Sequence, residues 1–110
     1  MKKACTIVAA AVFGLVSVNM SLWAADIENG RKLARKCVVC HGKFGVGKDP
    51  EVPHLAGQPA IYLEKSLVDY QTGKRQDRRM TLMAKPLSKA DIKDLAAWYE
   101  SIEIEVRKPD

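Results

Sequence analysis

The run Cys37-Val38-Val39-Cys40-His41 constrains this chain more than any other feature. Two thiols stand two residues apart, and an imidazole follows at once. On one helical turn that spacing matches the two vinyl groups of a haem, to which each thiol can add. His41 then lies under the iron and can donate a ring nitrogen, so the pentapeptide reads as a c-type haem attachment site. Two other chemistries use a Cys-x-x-Cys pair. A redox disulfide would need a βαβ pattern around it, and none is visible. A closed zinc site would need two more ligands, yet the only other Cys or His after the leader is His54.

With 110 residues the chain is long enough for one domain. Lys2 and Lys3 precede a run from Ala4 to Ala25 without a charged residue, which turns more polar at Ser17, Asn19 and Ser21 and ends on Ala24 and Ala25. This is the layout of a secretory signal peptide, expected over residues 1–24. Cleavage after Ala25 is the next choice, since Leu22 sits where a smaller residue is usual. An uncleaved anchor is the alternative, because the uncharged run is long enough to span a bilayer. Cys5 lies in the leader and receives no role.

The expected mature domain, residues 25–110, keeps sixteen of the eighteen Lys and Arg and all thirteen Asp and Glu, a net +3. Haem propionates would lower it, and acidic and basic residues are mixed in most segments. The charge therefore points to a solvated surface rather than to nucleic acid. Both remaining cysteines belong to the haem motif, so no disulfide staples the fold. A chain this short buries a modest core, which a large apolar cofactor would complete.

The sequence predicts an all-α domain of three main helices and two long loops. The first helix runs from about Asp26, a plausible N-cap, to Cys40, with Ile27, Gly30, Leu33, Ala34 and Cys37 on one face. Gly30 there is either a close contact with another helix or a tolerated surface glycine. Gly42 to Pro59 is a Gly/Pro-rich loop long enough to wrap a cofactor. A second helix begins at Pro59, carries Ile61, Leu63, Leu67, Val68 and Tyr70 as apolar surface, and stops near Gly73. Lys74 to Leu87 lacks regular periodicity and contains Met80 and Met83. Ser88-Lys89-Ala90-Asp91 opens the last helix with a capping-box pattern. Its apolar stripe is Ile92, Leu95, Ala96, Tyr99 and Ile102, with Trp98 beside it, and a charged tail follows Ile104. On the residues alone, Met80, Met83 and His54 are the candidates for a second axial ligand.

The mature chain resembles the class I cytochromes c, more closely the small bacterial single-haem proteins of the c-553 kind and the domains of related di-haem cytochromes. The resemblance spans nearly all of residues 26–106. It is carried by Gly30, Cys37 to Gly42, Pro53-His54-Leu55-Ala56-Gly57-Gln58, Tyr62-Leu63, Tyr70-Gln71-Thr72-Gly73, Met80 to Ser88, Asp91-Ile92 and Trp98-Tyr99. It implies one covalent haem c on Cys37 and Cys40, His41 and Met80 as axial ligands of iron, and Pro53 as the carbonyl that orients His41. Met83 would pack near haem, Gly30 would meet the last helix near Leu95 and Trp98, and His54 receives no role. The implied function is a periplasmic one-electron carrier between redox protein partners, without nucleic acid or stable membrane insertion after processing. The alternatives are a peroxidase-like haem enzyme or a dedicated subunit of a larger oxidoreductase. Two features depart from the pattern. Di-haem relatives have two such domains, and the resemblance does not explain the run Glu100-Ser101-Ile102-Glu103-Ile104-Glu105.

Overall fold

A computed structural model describes residues 24–110; the expected leader, apart from its last residue, lies outside the described residues. These fold into helices α1 (Ile27–Leu33), α2 (Val38–His41), α3 (Ala60–Thr72), α4 (Met80–Ala84) and α5 (Lys89–Glu100), with a short 3₁₀ turn over Ala34–Lys36 and no strand among the described residues. No described helix is long and apolar enough to cross a membrane.

Asp26 caps α1 by accepting the Asn29 N–H at 2.9 Å. The helix then tightens instead of continuing to Cys40. Cys37 N–H bonds back to Ala34 O, three residues away, at 2.8 Å. Tightening to three residues per turn changes which side chains share a face, so the helical spacing read from the sequence overruns this joint. The expected single helix is thus three linked pieces, with the cysteines and His41 on the last turn.

α5 starts on a complete capping box. Ser88 Oγ accepts Asp91 N–H at 3.0 Å, and Asp91 Oδ2 accepts Ser88 N–H at 2.9 Å. Ile92, Leu95, Ala96 and Tyr99 form its buried face, and the last three pack with Ala34 of the 3₁₀ turn and Leu63 of α3. No large side chain among the described residues is fully buried, so the protein's own core is thin. α1 crosses α5 backbone to backbone at Gly30. A Cβ there would sit 2.0 Å from Asp94 O and 2.9 Å from Trp98 Cβ, which settles Gly30 as a close contact. Asp94 is buried beside the crossing. Its Oδ1 accepts Asp26 N–H and its Oδ2 accepts the Asn29 side-chain amide, both at 2.8 Å.

α3 buries Leu63 and Tyr70 and leaves Ile61 and Val68 exposed, so only part of its expected apolar surface faces the core. The segment expected to be irregular, Lys74 to Leu87, contains α4. Asp77 organises its first turn. Its Oδ1 accepts Arg79 N–H at 2.8 Å and Met80 N–H at 2.7 Å, while Thr81 Oγ1 accepts Asp77 N–H at 3.1 Å. These two N–H bonds hold the Asp77 carboxyl below its ordinary pKa. At the far end the Gln71 side-chain amide donates to Ala84 O and Leu87 O, both at 2.8 Å. Five residues are too few to show a period in sequence, and caps at both ends hold them helical.

The crossing makes a direct prediction. Gly30→Ala improves helix propensity but drives a methyl into the Asp94 carbonyl, an overlap no rotamer relieves. The substitution should cost roughly 1–3 kcal/mol, read as a lower urea midpoint with the slope of the transition unchanged.

Candidate functional site

Cys37, His41 and Pro53 come together where α2 meets the loop over residues 42–59. Cys37 and Cys40 are free thiols, Cys37 half-buried and Cys40 exposed. Val39 between them is 90% exposed, so the outer side of this turn is open. His41 is buried, 5% exposed, with Nδ1 2.9 Å from the Pro53 carbonyl oxygen. A carbonyl only accepts, so Nδ1 carries the hydrogen and donates. Nε2 is then left with its lone pair, the tautomer a metal ligand requires.

The loop is built to present that carbonyl. Gly45 O accepts both Leu55 N–H at 2.7 Å and Ala56 N–H at 3.1 Å, closing the loop on itself. Gly57 N–H donates to Tyr99 O at 2.9 Å, and Ala60 N–H donates to Glu100 Oε1 at 2.8 Å. The end of α5 therefore anchors the segment that carries Pro53.

Tyr99 lies beneath the first thiol. Its buried hydroxyl has no hydrogen-bond partner among the described residues, and Cys37 is the ionisable group beside it. Burial pushes the Tyr99 hydroxyl far above its ordinary pKa, and the neighbouring Cys37 adds to this. Burial also raises the Cys37 thiol, partly offset by the nearby tyrosine.

Met80 is half-buried at the start of α4, with its N–H fixed by Asp77. Met83, one turn on, is 40% exposed. His54 is exposed on the loop, its carbonyl accepting the Gln58 side-chain amide at 3.2 Å. A groove of about 710 Å³ opens between the end of α3 and α4, bounded by Tyr70, Gln71, Arg78, Thr81, Leu82 and Lys85. No residue of the cysteine motif lines it.

These residues fit a covalently held haem. Two free thiols stand three positions apart in sequence, next to an imidazole whose Nδ1 is engaged by Pro53, leaving Nε2 as the donor nitrogen. Phe44 and Val46 beside the motif, and Leu82 beside Met80, are large apolar side chains more than half exposed, the surface an apolar cofactor covers. Among the described residues no three His, Cys, Asp or Glu gather into a metal cage, so the zinc reading finds no further ligands there. The sequence alone assigns no role to Asp94, Gln71 or Glu100, all of which position the site's supports. Gln71 stood in the run Tyr70-Gln71-Thr72-Gly73, but nothing local signals that its amide reaches Ala84 and Leu87.

The cytochrome c family profile matches residues 27–103. The chain is 45% identical over 83 residues to cytochrome c-554(548) of Halomonas halodenitrificans, an alignment covering 73% of this chain and all of that protein. It is 39% identical over 95 residues to a thiosulfate dehydrogenase electron acceptor of Thiomonas intermedia, covering 84% of this chain and 44% of that protein. Its fold superposes on reduced recombinant cytochrome c4 from Pseudomonas stutzeri with a TM-score of 0.71 at 36% identity, covering 79% of this chain and 50% of that one. The chain thus spans the whole of the first relative and about half of the other two.

Proposed function

The chain belongs to the cytochrome c family, and we propose that it is an exported single-haem carrier whose iron is held between His41 and Met80. Its fold is the class I cytochrome c fold, its cofactor is covalent haem c, and its work is electron transfer. The observation that carries the ligand assignment is the 2.9 Å contact between His41 Nδ1 and the Pro53 carbonyl, directly after two free thiols. Haem c supplies a one-electron Fe(II)/Fe(III) couple. Everything else is the chain's part.

Cys37 and Cys40 form the thioether links. His41 Nε2 is the proximal donor, and the Pro53 carbonyl fixes its ring and raises its basicity. Met80, whose N–H is held by Asp77 at the start of α4, would serve as the distal donor; a thioether there favours ferrous iron and raises the potential. Met83, on the same short helix but more exposed, packs rather than ligates. Residues 25–110 are the carrier domain. The positive start and uncharged run of residues 1–24 mark it for the periplasm.

The partners are redox proteins with acidic faces. Arg78 and Lys85 line the groove beside α4, and Lys74, Arg75 and Arg79 belong to the same stretch of chain, in which Asp77 is the single acid. That carboxylate is already engaged by two backbone N–H groups. Arg75 lies over the Tyr70 ring at 4.9 Å, and Arg79 reaches Glu51 only at 3.9 Å. The cluster therefore presents a positive surface that steers association. The similarity to a thiosulfate dehydrogenase electron acceptor supports a second reading, a carrier dedicated to one dehydrogenase. A peroxidase-like enzyme would keep an open distal position and bind carbon monoxide when reduced.

Intact mass of the purified exported protein should equal residues 25–110 plus one haem, and the haem should stay with the protein in acid acetone. Haem in the organic phase would refute the thioether links, and a membrane-bound product retaining Lys2 would make the leader an anchor. Met80→Ala should abolish the near-infrared sulfur-to-iron band of the ferric protein, lower the potential and admit carbon monoxide. Met83→Ala should keep the band; the reverse pattern would exchange the two roles. Arg78→Glu with Lys85→Glu should slow electron exchange with an acidic redox protein about tenfold at low ionic strength, the difference shrinking as salt screens the pair. Stopped-flow rates against ionic strength check this.

A further inference from the structure

The run Glu100-Ser101-Ile102-Glu103-Ile104-Glu105 is a motif that carrier chemistry leaves without a use. In the structure its first half grips the loop that holds Pro53. Tyr99 O, at the end of α5, accepts Gly57 N–H at 2.9 Å. Glu100 Oε1 accepts Ala60 N–H at 2.8 Å. Ile104 then lies over Gly57: a Cβ there would stand 3.1 Å from Ile104 Cγ1 and 3.2 Å from Cδ1, with Ile102 O at 3.3 Å. Backbone, carboxylate and aliphatic side chain thus close on residues 57–60 together.

The placement of Glu100 is informative because it is unfavourable for its own helix. A carboxylate at the C-terminal end of α5 faces the negative end of that macrodipole. Its benefit falls on α3. Pro59 caps α3 without a side-chain bond, which leaves the Ala60 N–H as an open donor. Glu100 fills it from forty residues away. Upstream the same loop is tied at Leu55 and Ala56 to Gly45 O, and only one residue separates Leu55 from Pro53. Both fixed points therefore follow the Pro53 carbonyl along the chain: the Gly45 tie at Leu55 and Ala56, then the grip of the α5 end on residues 57–60, which backs that tie.

We propose that residues 100–104 form a clasp that keeps the Pro53 carbonyl on His41 Nδ1, and that Glu100 and Ile104 are positioning residues setting the donor strength of the His41 ring. The proposal rests on the reading of His41 as proximal ligand. Slack in residues 57–60 loosens the adjoining tie of Leu55 and Ala56 to Gly45 O, and through it frees Pro53 and lengthens the Nδ1–H···O bond. The ring then loses basicity, ferric iron loses stabilisation and the potential rises.

The test uses the full haem-loaded protein with Glu100→Ala, Glu100→Gln and Ile104→Ser. Gln retains the Oε1 acceptor and serves as the rescue. Three readouts are taken: solvent exchange of the His41 Nδ1–H by NMR of the ferrous protein, the reduction potential, and the thermal midpoint. Glu100→Ala and Ile104→Ser should exchange that proton about tenfold faster and shift the potential upward, with Glu100→Gln close to the parent. If Ile104→Ser does not fold, Ile104→Val should give the same two shifts at smaller size. Lower midpoints with unchanged exchange and potential would reduce the tail to a structural strap and overturn the proposal. His41 ring protons lacking a paramagnetic shift in the ferric parent would instead overturn the ligand assignment, and the clasp with it.

Discussion

The backbone contact between α1 and α5 at Gly30 is the constraint on which the rest is hung. Only a residue without a side chain lets the Asp94 carbonyl and the Trp98 Cβ come this near. Asp94 secures the same crossing by accepting from Asp26 and Asn29 at the start of α1. The two helices so joined carry the site's parts at their far ends. α1 runs through the 3₁₀ turn into the cysteines and His41, and α5 ends in the groups that hold residues 57–60. An error at the crossing would be felt at both.

The polar network compensates for a thin apolar core. Ala34, Leu63, Leu95, Ala96 and Tyr99 form its centre, and two of these five are alanines. A chain with so little apolar volume of its own depends on its cofactor for cohesion. Ligation and folding then draw on the same free energy, because what binds only the folded form stabilises it. Backbone groups that a larger core would cover are met by side chains instead. Gln71 takes the end of α4, Asp77 its beginning, and Glu100 the beginning of α3.

The chemistry was legible because it is local. Five contiguous residues specify the haem motif, four specify the α5 cap, and Gly73 marks the end of α3. Gly30 was legible only as a choice between two readings, since its neighbour lies on another helix. What escaped was either too short for a period or joined across the chain. α4 has five residues and owes its helix to Asp77 and Gln71 rather than to an apolar stripe. The joint at Ala34–Cys37 keeps helical spacing in sequence while changing the bonding from four residues to three. Nothing local in the sequence marks Asp94, and its partners 68 and 65 residues away account for its burial.

That same separation orders events in time. The crossing cannot close until the last helix is available, and contacts this distant in sequence form late because the intervening chain must first be brought together. Until then nothing covers Cys37. Closure buries its thiol beside Tyr99 and disfavours the reactive thiolate. At Cys37 the open chain therefore favours the thiolate more than the closed fold does. Placing the closing contact at opposite ends of the domain makes the cover over Cys37 one of the last parts of the fold to form, while Cys40 stays exposed in the finished fold.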